Sequence, residues 1–316
     1  MIGPDLLHGS LPPLRRPPDF AAFWVATVDE LRAVPPALRR EAVEDQGDGL
    51  VLEWLSFASL NGVRLHGYAL RWTDARARPL VIHSHGYGGR TEPMTAWARQ
   101  GSDVVGVDIR GFGRSLGALP ARSPWGWILS GSETPETSVL RGAVCDYLRT
   151  VEVGRQLVAP APTRMVLHGQ SLAGGLALMA ESAAPSADLL VLATPTFGWV
   201  EGRRLLVEIG SGAEVTRFLA AHPDYPEQDL MVVLQYFDSA NFAELVTCPT
   251  LVGLGLVDRV VPAATVATIV ARLTCPHEVR YFPASHAEPS EMTAWAAFER
   301  RWLDLTARGI PAGFGR

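Results

Sequence analysis

The run Arg164-Met165-Val166-Leu167-His168-Gly169-Gln170-Ser171-Leu172-Ala173-Gly174-Gly175-Leu176-Ala177-Leu178 constrains this chain more than any other stretch. An apolar segment rises to His168, a turn carries Ser171, and small and apolar residues that favour a helix follow. The pattern predicts a strand, a tight elbow and a helix, with the serine hydroxyl exposed at the apex beside the helix N-terminus. The usual form of such an elbow is Gly-x-Ser-x-Gly. Here Ala173 takes the fifth position, with Gly174 and Gly175 behind it. Alanine is the smallest residue with a Cβ, so the helix can still approach the strand, with less room than glycine leaves. A motif is a hypothesis until its context agrees.

That context is an alternation of strands and helices. Leu50 to Phe57 and Val63 to Trp72 read as strands joined near Asn61-Gly62, a hairpin signal. Residues 79–85 form a third strand that opens onto Gly86-Tyr87-Gly88-Gly89, and Asp103 to Ile109 a fourth. Residues 136–152 carry a helical apolar stripe, and after the elbow come the strands Leu189 to Ala193, Thr250 to Leu256 and Glu278 to Phe282. Ala263 to Leu273 and about Glu288 to Ala307 read as helices, and Asp19 as the N-cap of an opening helix through Phe20, Phe23, Trp24, Thr27 and Leu31. Continuous apolar strands alternating with helices predict an α/β fold, a mostly parallel sheet covered on both faces. Residues 195–246 break the alternation with proline, aromatic and charged residues and read as a lid-like insertion after the strand that follows the elbow helix. The expected organisation is one domain over 1–316, with an N-terminal helix and hairpin at about 17–72.

Composition narrows the chemistry. The 28 formal positive charges are all arginine; with no lysine, a Schiff-base lysine, a Ser-Lys dyad and a Walker-type phosphate loop are excluded. The net charge of −5 gives no electrostatic reason to expect nucleic acid. No apolar run approaches the ~20 residues of a membrane span. Arg15 and Arg16 are not followed by the apolar run of a secretory signal, so a cytoplasmic location is expected. Cys145, Cys248 and Cys275 are scattered and odd in number, and read as buried free thiols rather than a disulfide framework or metal motif.

A serine hydroxyl needs a base to take its proton, and the base needs an orienting carboxylate. In α/β-hydrolases these follow in the order Ser, acid, His. His286 lies at the end of a late strand, well beyond Ser171. His222 falls in the insertion, His277 opens a strand at its far end, and His83, His85 and His168 precede the serine. Asp258 follows Leu251-Val252-Gly253-Leu254-Gly255-Leu256-Val257 and so caps a buried strand at the sheet's C-terminal edge, where open α/β sheets place ligands. An oxyanion site needs two donors: the Leu172 N–H at the start of the elbow helix, and Tyr87 N–H in the glycine-rich loop after the third strand. Arg110-Gly111-Phe112-Gly113-Arg114-Ser115 lacks a following helix and reads as a structural loop with Arg110 in an ion pair. Phe197 and Trp199 open the insertion and are candidates for lining a substrate pocket.

With these residues placed, the chain resembles the acetyl xylan esterase / cephalosporin C deacetylase family of carbohydrate esterases. The resemblance rests on Asp19-Phe20 with Phe23-Trp24, Gly86-Tyr87-Gly88-Gly89, Asp108-Ile109-Arg110-Gly111, the helix Arg141 to Val151, the elbow, Tyr236-Phe237-Asp238 with Asn241-Phe242-Ala243, Gly255-Leu256-Val257-Asp258, and His286. It implies an α/β-hydrolase fold, with Ser171 as nucleophile, Asp258 as acid, His286 as base, and Tyr87 and Leu172 as oxyanion donors. It further implies removal of acetyl groups from sugars and small alcohols without metal or cofactor, and a ring-shaped hexamer. Four positions depart from the family pattern: Phe112 stands where Gln is usual after Arg-Gly, Leu172 where Gln is usual, Ala173 where Gly is usual, and Ala287 separates His286 from Glu288. These mark a divergent member. The stretch Ser123 to Thr137, which the family uses in subunit contacts, also differs considerably. The leading expectation is a serine esterase for short acyl groups. Another acyl hydrolase on the same site (thioesterase, peptidase or lactone hydrolase) and a non-catalytic ligand-binding protein of this fold are the alternatives.

Overall fold

The computed structural model describes residues 12–13, 15–287 and 294–315. Its frame is a nine-stranded sheet in the order β1-β2-β3-β5-β4-β6-β7-β8-β9. The strands are β1 (Arg39–Asp45), β2 (Leu50–Ala58), β3 (Arg64–Trp72), β4 (Pro79–Ser84), β5 (Asp103–Val107), β6 (Arg164–Gln170), β7 (Leu189–Ala193), β8 (Thr250–Gly255) and β9 (His277–Phe282). The helices are α1 (Phe20–Ala33), α2 (Thr95–Ala98), α3 (Val139–Leu157), α4 (Leu172–Ala183), α5 (Val200–Leu206), α6 (Gly210–Ala221), α7 (Glu227–Gln235), α8 (Ser239–Phe242), α9 (Ala263–Val270) and α10 (Ala296–Arg308). β1, β2 and β3 pair antiparallel and β3 joins β5 antiparallel; from β5 onward every pairing is parallel.

Parallel pairing has one consequence that matters here. The C-terminal ends of β4, β6, β7, β8 and β9 lie side by side on one edge. That edge carries the Tyr87 loop, Ser171, Thr196, Asp258 and His286 in spatial order. β4, β6, β7 and β8 are mostly apolar because both their faces are covered, whereas β9, the edge strand, is polar and partly exposed. On one face α1, α3, α4 and α9 pack Phe23, Trp24, Tyr147, Leu176 and Ile269 against Leu80, Ile82 and Leu167. On the other, Trp97, Trp295, Phe298 and Trp302 pack against Val81, Val166 and Leu251.

Several expectations change in detail. Strand β1 was not read from the sequence, because all seven of its residues are exposed and no apolar alternation marks it. It is a charged edge strand, a composition that discourages pairing with another chain. Asp19 precedes α1, but its carboxylate makes no cap bond; it accepts the Tyr236 hydroxyl at 2.5 Å instead. The cap role is taken on α3 by Ser138, whose hydroxyl accepts from Leu140 N–H. Segment 195–246, read as a lid-like insertion, is built of the helices α5 to α8. The start of the last helix, expected near Glu288, lies outside the described residues.

Arg110 is held as expected. Its Nε and Nη2 donate to the two oxygens of Asp146 at 2.9 and 2.7 Å, and both side chains are buried. The three cysteines are buried free thiols. Among the described residues, no helix is long and apolar enough to cross a membrane.

Candidate active site

Ser171 sits between β6 and α4 with φ 56° and ψ −117°, a conformation that L-residues rarely adopt. Such strain costs on the order of 1–3 kcal/mol and persists only where surrounding contacts impose it. The contacts are clear. Ser171 N–H donates to Ala193 O at 2.9 Å, and Ser171 O accepts from Gly175 N–H and Thr196 N–H at 3.1 and 3.2 Å. A Cβ on Gly169 would lie 2.2 Å from the Ala173 carbonyl carbon, and one on Gly175 2.7 Å from Thr196 O. The tight approaches therefore fall at Gly169 and Gly175. Ala173 is accommodated fully buried, which explains how the elbow tolerates a Cβ at its fifth position.

Asp258 follows β8, and its side chain is fully buried. Oδ1 accepts from the N–H groups of Val260 and Val261 at 2.9 and 2.8 Å. Oδ2 accepts from His286 N–H at 3.0 Å and also bonds His286 Nδ1. With Nδ1 so occupied, Nε2 is the ring nitrogen left for a substrate or a nucleophile. Burial works to raise the Asp258 pKa. The hydrogen bond and charge of His286, with the N–H groups of His286 and Val261, outweigh it and hold the carboxyl below its ordinary value. The folded state therefore binds fewer protons here than the unfolded chain. The stabilisation is complete above the ordinary carboxylate range and is lost as pH falls through the lowered value. The expected result is that the Tm advantage of the wild type over Asp258→Asn shrinks progressively in melts taken from about pH 6 down to about pH 3. An advantage that stays constant over that range would contradict the assignment.

Ser171, Leu172, Gly86, Tyr87 and His286 line one cavity of about 230 Å³. The structure thus brings Asp258 and His286 into contact and sets Ser171 and His286 on walls of the same cavity. Among the described residues no hydrogen bond joins Ser171 Oγ to the imidazole. Such contacts are often long in ligand-free enzymes and tighten with substrate. Leu172 N–H is the first amide of α4 and has no intrahelical acceptor. Among the described residues, neither it nor Tyr87 N–H donates to a protein group.

The Tyr87 loop is positioned by residues that sequence reasoning did not single out. His85 Nδ1 donates to Gly86 O at 2.7 Å, and His85 Nε2 accepts from Ile109 N–H at 3.0 Å. Burial lowers the pKa of His85, in keeping with this neutral tautomer. The Tyr87 hydroxyl donates to Glu214 of α6 and accepts from Trp127 N–H at 3.3 Å, while Glu214 also accepts from Ile128 N–H at 3.0 Å. Burial raises the pKa of both Tyr87 and Glu214. Tyr87→Phe would leave Glu214 buried and short of one donor, at a cost of about 1–3 kcal/mol. The expected result is a Tm lower by several degrees and a several-fold fall in kcat on p-nitrophenyl acetate. No change in either would show that the clamp does not position the loop.

Phe197 and Trp199 do not line this cavity. Phe197 is buried over a neighbouring apolar cavity with Leu140, Met231 and Phe237, and Trp199 lies half-buried at the start of α5. In their place the segment contributes Thr196, Arg203, Gly210 and Ser211. Ser123 to Thr137 is folded onto the chain itself: Trp127, Ile128 and Leu129 are buried, and the Trp125 ring packs on Phe218 and His222 of α6 and its C-terminus. His83 and His168 lie on the opposite face of the sheet among Tyr68, Trp97 and Trp302, where burial lowers their pKa values to about 4 and about 3. Among the described residues no group of three or more His, Cys, Asp and Glu side chains is arranged to hold a metal ion.

Residues 6–303 match the family model for acetyl xylan esterase (AXE1). The chain belongs to the acetyl xylan esterase family. Within reach of that family, acetyl esterase Axe7A of Xylanibacter ruminicola is 23% identical over 293 residues, covering 88% of this chain. The chain spans 64% of the length of that relative. Among solved structures, the acetyl xylan esterase of Paenibacillus sp. R4 superposes with a TM-score of 0.85 at 21% identity, covering 97% of this chain and all of the other. Acetyl xylan esterase 1 of Thermoanaerobacterium sp. JW/SL YS485 gives 0.84 at 21% identity, covering 96% of this chain and 99% of the other. An acylaminoacyl peptidase of Pyrococcus horikoshii gives 0.64 at 15% identity, covering 85% of this chain and 44% of the other. At these identities the structural likenesses establish the α/β-hydrolase fold.

Proposed function

We propose that this chain is a carboxylic ester hydrolase that removes short acyl groups, acetate foremost, from sugars or small natural-product alcohols through Ser171, His286 and Asp258. The observation that carries the reading is the strained Ser171 on one wall of a cavity whose other wall presents His286, its Nδ1 bonded to buried Asp258. Membership of the acetyl xylan esterase family supports the acetyl preference.

In this reading His286 Nε2 takes the hydroxyl proton as Ser171 Oγ attacks the ester carbonyl carbon. Leu172 and Tyr87 N–H hold the resulting oxyanion, each contributing on the order of 3 kcal/mol to the transition state. The tetrahedral species collapses, the C–O bond to the alcohol breaks, and His286 returns its proton to the departing alkoxide. Asp258 stabilises the transient imidazolium and fixes its tautomer. Water then attacks the acyl-serine by the same route, with His286 as base, and acetate leaves.

The test is a chain-length series. On p-nitrophenyl acetate, butyrate and octanoate, kcat/KM is expected to be highest for acetate and to fall with length. A rise toward octanoate would refute the acetyl preference and favour another acyl hydrolase on the same residues. No turnover of any ester would favour a ligand-binding protein.

A further inference from the structure

Ester hydrolysis as described leaves one charged side chain of the cavity unused. Arg203, on α5, is 7% exposed and lines the same cavity as Ser171 and His286. Its Nη2 donates to Ser211 Oγ at 2.7 Å. Its Nε is buried without a partner, and among the described residues no carboxylate lies within ion-pair distance. One face of the guanidinium lies over the Phe197 ring, 5.2 Å from its centroid. The nearest carboxylates are engaged elsewhere. Glu214 accepts from Tyr87 and Ile128; Asp238 accepts from the N–H groups of Trp199, Val200 and Ala240. The next residue shows the contrast: Arg204 bonds Glu227 at 2.7 Å.

A buried unpaired cation is costly, and proteins almost never retain one without a partner. Burial lowers the Arg203 pKa to about 10 against the opposing charges of Glu214, Tyr87 and Asp238, none of which is hydrogen-bonded to it, and leaves it charged at neutral pH. A second feature points the same way. Gly210 and Ser211 open the twelve-residue α6 and line the cavity beside Arg203. The first amides of a helix lack intrahelical acceptors and carry partial positive charge, which suits an anion. Ser211 Oγ accepts from Arg203, so its own O–H is available to donate. Arginine's planar fork fits a carboxylate bidentately, and one guanidinium balances one carboxylate charge.

We propose that Arg203, Ser211 and the N-terminal amides of α6 bind a carboxylate carried by the alcohol part of the substrate. The preferred substrate class is therefore the acetyl ester of a hydroxy acid rather than of a neutral alcohol. This rests on the esterase reading of Ser171, which supplies the acetyl end.

The experiment compares 4-acetoxybenzoate with its neutral isostere 4-acetoxybenzamide on the full chain, each rate normalised to alkaline hydrolysis. The wild type is expected to favour the acid by about tenfold in kcat/KM, the scale of a charge-assisted pair. Arg203→Gln should bring the ratio near one, Arg203→Lys should restore part of it, and Ser211→Ala, the milder change, should reduce it about threefold. A wild-type ratio at or below one overturns the proposal, as does loss of both rates in equal proportion in folded Arg203→Gln and Ser211→Ala. A carboxylate preference confined to the acyl side, seen as p-nitrophenyl hemisuccinate exceeding p-nitrophenyl acetate, overturns the assignment to the alcohol. Turnover of the neutral amide keeps the esterase reading separate from this one. Should neither ester be turned over, calorimetric binding of 4-acetoxybenzoate to Ser171→Ala decides the pocket alone: about tenfold weaker binding on adding Arg203→Gln supports it, and equal binding overturns it.

Discussion

Replacing Ser171 with alanine is expected to lower kcat on p-nitrophenyl acetate by about four orders of magnitude or more, to the residual level that oxyanion donors and binding alone sustain. The fold should not change. Ser171 is tied to its neighbours through backbone groups, to Ala193 O, Gly175 N–H and Thr196 N–H, and alanine keeps all three. Alanine also keeps the Cβ and so the strain at φ 56°. Ser171→Gly is the informative companion. It removes the hydroxyl and the strain together, so it should be equally inactive yet more stable by about 1–2 kcal/mol. The pair, measured by steady-state kinetics and thermal melts, separates a serine strained for its chemistry from one that happens to occupy a turn. Alanine retaining esterase turnover would remove the nucleophile from the account.

The second large effect is expected at Asp258. Asp258→Asn keeps the shape of the side chain but can present an NH₂ to His286 Nδ1, where a carboxylate now accepts. That favours the tautomer with the proton on Nε2, the nitrogen that receives the Ser171 proton in the proposed mechanism. A fall of about four orders of magnitude in kcat is expected, because the ring is held in the wrong state for proton transfer. Here stability should fall as well. The carboxylate gathers the N–H groups of Val260 and Val261 on Oδ1 and of His286 on Oδ2; with NH₂ in the Oδ2 position the amide oxygen serves Val260 and Val261 without charge and His286 N–H loses its acceptor. Each charge-assisted bond is worth about 1.5–3 kcal/mol against about 1 for a neutral one, so a Tm drop of several degrees is predicted. A variant with normal kcat would show that His286 is oriented by something other than Asp258.

The sheet and the three candidate residues were legible for one physical reason. Parallel strands buried on both faces read as continuous apolar runs, and what ends such a run stands at the functional edge. Asp258 after β8 and Ser171 after β6 announce themselves this way; His286 does so by its place, at the end of the late strand β9 and beyond Ser171 in the chain, since β9 itself is a polar edge strand. Strand β1 did not, because an exposed edge strand of Arg, Glu and Asp carries no apolar signal. The roof of the cavity was hidden for a different reason. Arg203 looks like half of a polar Arg-Arg pair on a short helix, and only tertiary packing makes it buried and unpaired. Glu214 is likewise an ordinary helical glutamate until the fold brings it to Tyr87 across 127 positions of sequence. Phe197 and Trp199 misled because aromatics at the mouth of an insertion suggest a pocket lining, whereas Phe197 is buried over the neighbouring apolar cavity and Trp199 lies half-buried at the start of α5. Ala173 departs from the usual glycine and leaves less room at the elbow, yet the close approaches sit at Gly169 and Gly175.

The central claim is that Ser171 forms the covalent acyl intermediate. Peptide mass mapping after treatment with a fluorophosphonate tests it most directly. The account predicts a single phosphonyl adduct on the Ser171 peptide, accumulating in step with loss of turnover on p-nitrophenyl acetate and absent from Ser171→Ala. An adduct on another residue, or full activity in protein that resists labelling, would contradict it.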